Sequence, residues 1–322
     1  MSIFYRTISA LTLLAFVTAP ALGADEPKDV AGIQAAHDRA LIRDLMAYLA
    51  KNPQAVDAEQ AYMKVFDKVI EHDWFAENEA IARKYLAEQP EGPVRSLAQI
   101  VGTMAHAQAG RYADALGSFN ALMAGLGGSD QEEFASNFAD TLADSAMAAG
   151  QTDVARKVYQ GLLKKFGGES PNLAQKVKDD LAMLDRVGTR VPSVAVNDLA
   201  GAPLRLTDLR GKYVLVDFWA TWCAPSLVEF PRMQTLHAKY RAKGFEVVGV
   251  SLDESKAALV DFLAARKLPW RQVHNGTAGG DLVEAFGVRT LPATFLVSPE
   301  GTIIRLGARG PALEKALDAL IR

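Results

Sequence analysis

The sequence predicts two folded parts: an all-helical region, then an α/β region with a mixed sheet. Three observations carry this. From about residue 33 to 184, apolar residues recur at helical spacing. Near Val191-Pro192 the pattern switches to apolar, β-branched runs that alternate with helical ones. The last of these runs read as strand, turn, strand and helix, which adds antiparallel strands to a sheet that begins as βαβ. A chain of 322 residues also suits two domains at roughly 100–200 residues each. The expected division is 1–23, 24–188 and 189–322.

Residues 1–23 read as a secretory leader. Arg6 supplies a positive n-region, residues 8–17 an apolar stretch, and Ala21-Leu22-Gly23 a small-residue cleavage site before Ala24. The apolar run is shorter than the ~20 residues a membrane span needs, and Pro20 interrupts its end. The expectation is an exported protein, periplasmic or secreted, without stable membrane insertion once the leader is cut.

In the helical region Leu41, Leu45, Tyr48 and Leu49 share a stripe, as do Tyr62, Phe66 and Val69, and then Ile81, Tyr85 and Leu86. Asn52-Pro53, Pro90 to Pro93, Gly110, Gly125 to Gly128, Gly150, Gly167-Gly168 and Pro171 punctuate the pattern. This predicts seven or eight helices. Gly110 leads to Ala115, Phe119 and Leu122, and Gly150 leads to Ala155, Tyr159 and Leu162. A small residue and an aromatic one turn apart resembles the second helix of a tetratricopeptide repeat. The period of 40 differs from the family's 34, so a plain helical bundle stays open beside it. Either array presents a surface to a protein partner. His37, His72 and His106 stand at no metal-ligand spacing, and no metal site is expected.

In the α/β region 194–197 and 204–206 predict a hairpin around Gly201-Ala202. Residues 213–219 predict a buried strand, 226–242 a helix and 245–252 a second buried strand. Residues 255–266 predict a helix with Ser255 as its cap, and 282–286 a short helix. Residues 294–297 and 303–306 predict a hairpin across Pro299-Glu300-Gly301, and 313–321 the last helix.

The segment Val216-Asp217-Phe218-Trp219-Ala220-Thr221-Trp222-Cys223-Ala224-Pro225-Ser226 resembles the active-site segment of thioredoxin-like proteins. Glu229 and Pro231 extend the likeness to the bacterial exported branch, the TlpA/ResA-like thiol–disulfide oxidoreductases. Thr290-Leu291-Pro292-Ala293-Thr294-Phe295 resembles that family's cis-proline loop and the strand after it. The resemblance covers about 191–322 and implies a thioredoxin-like fold. It departs at one place: the family's Cys-x-x-Cys is Cys223-Ala224-Pro225-Ser226 here, and the chain holds a single Cys.

The residue types define what the site can do. Cys223 falls between a strand and a helix, where unpaired N–H groups and the helix dipole favour an anion and hence a reactive thiolate. Pro225 suits the first helical turn. Ser226 Oγ is placed to donate a hydrogen bond to the Cys223 sulfur. A hydroxyl cannot open a mixed disulfide, so release must come from another thiol. That leaves three outcomes: isomerisation resolved by the substrate's own thiol, exchange with a small thiol, or a redox-inactive binding module that uses the helical array and the fold for docking. Net two-electron reduction by this chain alone is excluded. A one-cysteine peroxidase is disfavoured, because Thr221 is one residue short of the Thr-x-x-Cys spacing. The resemblance implies that Asp217 handles protons near the site and that Glu229 tunes the thiol, while Trp219 and Trp222 pack and shield it. It also implies that Trp222, Ala224, Pro225 and the Leu291-Pro292 main chain meet an extended substrate.

One Cys excludes an internal disulfide, a cysteine-rich zinc site and an iron–sulfur cluster, and no cofactor is expected. Residues 24–190 carry 18 Lys/Arg against 25 Asp/Glu, and 191–322 carry 16 against 13. No basic cluster with interleaved aromatics occurs, which excludes nucleic acid as the natural partner. Protein thiols or disulfides, or a small thiol, are the expected partners. Asn275-Gly276-Thr277 and Gly279-Gly280 read as loop punctuation.

Overall fold

The structure is a computed structural model that describes residues 29–128, 131–275 and 281–321. The leader 1–23, the Gly276-Thr277 part of the loop sequence and Gly279-Gly280 lie outside the described residues. Within the described residues no helix is long and apolar enough to cross a membrane.

Eight helices come first: α1 (Val30–Lys51), α2 (Ala58–Glu71), α3 (Phe75–Glu88), α4 (Arg95–Gln108), α5 (Tyr112–Gly125), α6 (Glu132–Ala148), α7 (Thr152–Phe166) and α8 (Pro171–Leu184). Each buries one stripe, as the sequence spacing requires; on α7 it is Ala155, Val158, Tyr159, Leu162 and Phe166. The internal repeat is a repeat of turn geometry. Gly110 and Gly150 both take left-handed φ, +76° and +77°. In both turns the glycine N–H bonds three residues back, Gly110 to Ala107 and Gly150 to Met147, while the next N–H bonds five back, Arg111 to His106 and Gln151 to Ala146. These are Schellman closures. They deliver Ala115 and Phe119, or Ala155 and Tyr159, into the core.

The second region holds β1 (Ala195–Asn197), β2 (Pro203–Arg205), β3 (Tyr213–Trp219), α9 (Ala224–Tyr240), β4 (Phe245–Ser251), α10 (Lys256–Arg266), β5 (Arg271–His274), α11 (Leu282–Phe286), β6 (Ala293–Val297), β7 (Ile303–Leu306) and α12 (Gly310–Leu320). β1 and β2 form an antiparallel hairpin, and the other five strands make one sheet in the order β5-β4-β3-β6-β7. β3 runs parallel to β4 and β4 to β5, while β6 and β7 are antiparallel. The mixed sheet follows the sequence reading. Several elements differ; α12, for one, starts at Gly310, three residues before the expected 313. Leu206 begins a 3-10 turn (Leu206–Leu209) instead of ending a strand. α9 starts two residues earlier, because Pro225 belongs to its first turn. β5 was not foreseen, since Arg271, Gln272 and His274 hide a four-residue strand. Ser255 caps α10 as expected, accepting from Ala258 N at 3.2 Å, a contact worth about 1 kcal/mol.

Both sheet edges are covered by segments outside the sheet. At the β5 edge Leu199 N donates to Gln272 O at 2.8 Å. Beyond β7, Gly188 N donates to Ile303 O, Ile303 N to Thr189 O and Val191 N to Gly301 O. The two regions also meet through arginines that cap helix ends. Arg305 on β7 donates to Ala148 O, the last residue of α6, at 3.0 Å. Arg186, just past α8, donates to Ala285 O of α11 at 2.8 Å. A cation at a helix C-terminus also answers the helix dipole.

One histidine is in company that its spacing did not announce. His72 Nε2 lies 2.9 Å from Asp38 Oδ2, and the donor atoms of Asp38, Glu71 and His72 fall within 4.8 Å of one another. The Lys68 ammonium already sits between the carboxylates, 3.3 Å from Asp38 and 2.7 Å from Glu71. His72, then Gln34 and Lys68, hold the Asp38 carboxyl well below the usual carboxylate range.

Candidate active site

The site forms where β3 gives way to α9. Cys223 is the N-cap of α9, 6% exposed, with Ala224 and Pro225 in the first turn. The approach to it is pinned. Thr221 N and Thr221 Oγ1 both donate to the Asp253 carboxylate, Oγ1 at 2.6 Å. Asp253 is itself buried and accepts from Ser251 Oγ at 2.8 Å. It follows β4, and so it reaches across from the carboxyl end of the neighbouring parallel strand. Sequence reasoning missed Asp253; its place just past a buried strand was the available signal.

Trp219 packs edge-on against Phe230 at 4.9 Å and donates from Nε1 to Gln272 Oε1 at 3.1 Å. Gly249 makes room for that amide: a Cβ there would lie 2.2 Å from Gln272 Oε1. Trp219 is therefore a packing residue. Trp222 is not, contrary to expectation. It is 68% exposed beside the thiol, because the turn fixed by Asp253 carries it outward.

Ser226 differs more sharply from its expected role. Its N–H bonds back to Cys223 O at 2.9 Å, as the helix start requires. Its Oγ makes no hydrogen bond among the described residues, to Cys223 Sγ or to any other atom, although the residue is 3% exposed. It instead lines a cavity of about 10 Å³ with Asp217, Glu229, Met233, Pro292, Thr294 and Arg309, room for about one water.

Asp217 is buried in mid-sheet, in register with Gly249 on β4 and Thr294 on β6. Burial pushes its carboxyl up to about 7; the Arg309 charge opposes the shift and the Glu229 charge adds to it. Glu229 is tied elsewhere: its Oε2 accepts from Gly310 N at 2.8 Å, at the N-terminus of α12, where negative charge is favoured. Thr294 Oγ1 donates to Ala308 O at 3.2 Å and closes the cavity from the β6 side. The Leu291–Pro292 peptide is cis. Cys223, Ser226, Glu229, Asp217 and Pro292 thus gather around one strand end. Arg309 and Thr294 join them, neither of which sequence reasoning had counted among the site residues.

Comparison with known proteins adds the following. Residues 187–306 match the AhpC/TSA family. The chain is 34% identical over 119 residues to the thiol–disulfide oxidoreductase ResA of Bacillus thuringiensis subsp. konkukian, covering 37% of this chain and 68% of that protein. Against ResA of Bacillus subtilis it is 34% identical, covering 37% of this chain and 65% of that protein. A solved thioredoxin domain of a thiol–disulfide oxidoreductase from Bacteroides vulgatus is 30% identical, covering 42% of this chain and 98% of that one with a TM-score of 0.40. The family match begins at residue 187, after the eight helices.

Proposed function

We propose, on the premise that this chain belongs to the ResA-like thiol–disulfide oxidoreductases of the thioredoxin superfamily, that Cys223 works alone as an exchange nucleophile. The observation that carries this reading is Cys223 at the start of α9 with Ser226 one turn on, in a chain with no second sulfur of its kind.

In the proposed step the Cys223 thiolate attacks one sulfur of a disulfide. A sulfur–sulfur bond forms to Cys223, the old one breaks, and the other half leaves as a thiolate. No electrons are gained or lost overall. Release repeats the exchange with an incoming thiol, which is the substrate's own second thiol in isomerisation or a small thiol in simple exchange. Trp222, Ala224, Pro225 and the Leu291-Pro292 main chain form the proposed docking strip. Asp217, its carboxyl raised to about 7, takes up or releases a proton near neutral pH in the wall of the cavity beside Ser226. The leader reading of residues 1–23 places this chemistry in an exported, oxidising compartment.

The test is intact-mass analysis after mixing the protein with a peptide disulfide. The expected product is a one-to-one adduct that accumulates, disappears on adding glutathione and never forms in Cys223→Ala. A native protein that forms no adduct would leave the docking-module reading in its place.

A further inference from the structure

We infer that the helical region positions the docking strip through Asp179 and Arg186, so that exchange with polypeptide disulfides depends on it and exchange with small disulfides does not. This rests on the exchange reading above.

The Leu291-Pro292 part of the strip is the continuation of α11. Phe286 anchors the end of that helix in the core, 4.7 Å from Phe295 and 5.3 Å from Phe218. Gly287 then turns the chain with φ +68°, and Val288 N closes the turn on Val283 O. Four residues later comes Pro292, in the wall of the cavity that Ser226 and Asp217 share. Between these two anchors the chain is held from outside, by the helical region.

Two groups do this. The Arg186 guanidinium donates to Ala285 O at 2.8 Å and lies against the turn so closely that a Cβ on Gly287 would meet its Nη2 at 2.8 Å. Arg289, 70% exposed, reaches Asp179 on α8 at 3.5 Å, and the Asp179 carboxylate is oriented by Gln175 Nε2 at 3.1 Å. Asp179 lies on α8 and Arg186 two residues past its end, and the helix is fixed in turn by the buried Leu173, Val177 and Leu184. Residues 287–290 are therefore held by side chains of the helical region as well as by the α/β region that carries Cys223. A substrate that lays its main chain along Leu291 needs that support. A compact aromatic disulfide that meets only the sulfur does not.

The experiment uses the full chain and two probes: 5,5′-dithiobis(2-nitrobenzoate) as the small disulfide, and an extended peptide with a disulfide to a second short peptide. Asp179→Arg and Arg186→Gln should slow peptide exchange about fivefold, the scale of such indirect couplings, with the rate for the small reagent unchanged. The double reversal Asp179→Arg with Arg289→Asp should restore the peptide rate, which a merely structural loss would not. The inference is overturned by Asp179→Arg and Arg186→Gln proteins that exchange with peptide at the original rate. It is also overturned if both probes slow equally, or if the double reversal stays as slow as Asp179→Arg. An original chain that reacts with neither probe overturns the exchange reading itself, and this inference with it.

Discussion

Glu229 Oε2 accepts a hydrogen bond from Gly310 N at 2.8 Å, so the helix that begins at the thiol is tied to the N-terminus of α12. Glu229→Ala should lower stability by about 1 kcal/mol, less than a fully buried charged hydrogen bond because Glu229 is half-exposed. The urea midpoint should fall with its slope unchanged. An unchanged midpoint would show that the tie contributes nothing.

The same substitution removes a negative charge that faces Asp217 and should therefore lower the Asp217 pKa. Asp217 titrates near 7 in the folded chain against 3.8 as a free side chain. Between those values the folded state holds a proton that the unfolded state has lost. Stability should therefore fall as pH rises through this window, by at most about 1.4 kcal/mol per pH unit from this group. Asp217→Asn should flatten that decline, gaining on the original chain at pH 8 and matching it near pH 4. Parallel urea midpoints across this range would contradict the burial argument.

Much of this was legible beforehand. Tyr213–Trp219 and Phe245–Ser251 are apolar runs that can only be buried strands, and Pro225 marks a helix start by its fixed φ. What stayed hidden was company. The hydrogen bond expected from Ser226 Oγ to the sulfur is absent, and nothing local in the sequence announced that. Asp253, Gln272 and Arg309 reach the site from other elements, and only the sheet order brings them there. β5 was lost because its outward residues are polar, leaving Trp270 and Val273 too few to show a period.

Gly249→Ala should be among the more damaging small changes in the sheet. The new methyl would overlap the buried Gln272 side chain and would break its bond to Trp219. A loss of about 1–3 kcal/mol is expected, the range for overpacking. Altered tryptophan fluorescence should accompany it. Wild-type stability would mean that Gln272 has another rotamer available.

Ser226→Cys should convert the cycle. The introduced thiol would attack the mixed disulfide at Cys223, close a disulfide within the protein and free the substrate as a dithiol, a two-electron reduction of the substrate at the protein's expense. Intact-mass analysis should then show a short-lived adduct followed by protein lighter by two hydrogens. An adduct as persistent as that of the original chain would show that a thiol at position 226 does not reach the mixed disulfide.

The pairing of Gly188, Thr189 and Val191 along β7 makes the junction between the two regions a structural part of the second one. A fragment that begins after Val191 would carry a short open rail of unpaired groups, Gly301 O and the N–H and C=O of Ile303. Such rails recruit strands from neighbouring molecules. The junction segment 188–191 thus shields the edge of the sheet, and self-association of the trimmed fragment at rising concentration is the form in which its loss would be seen.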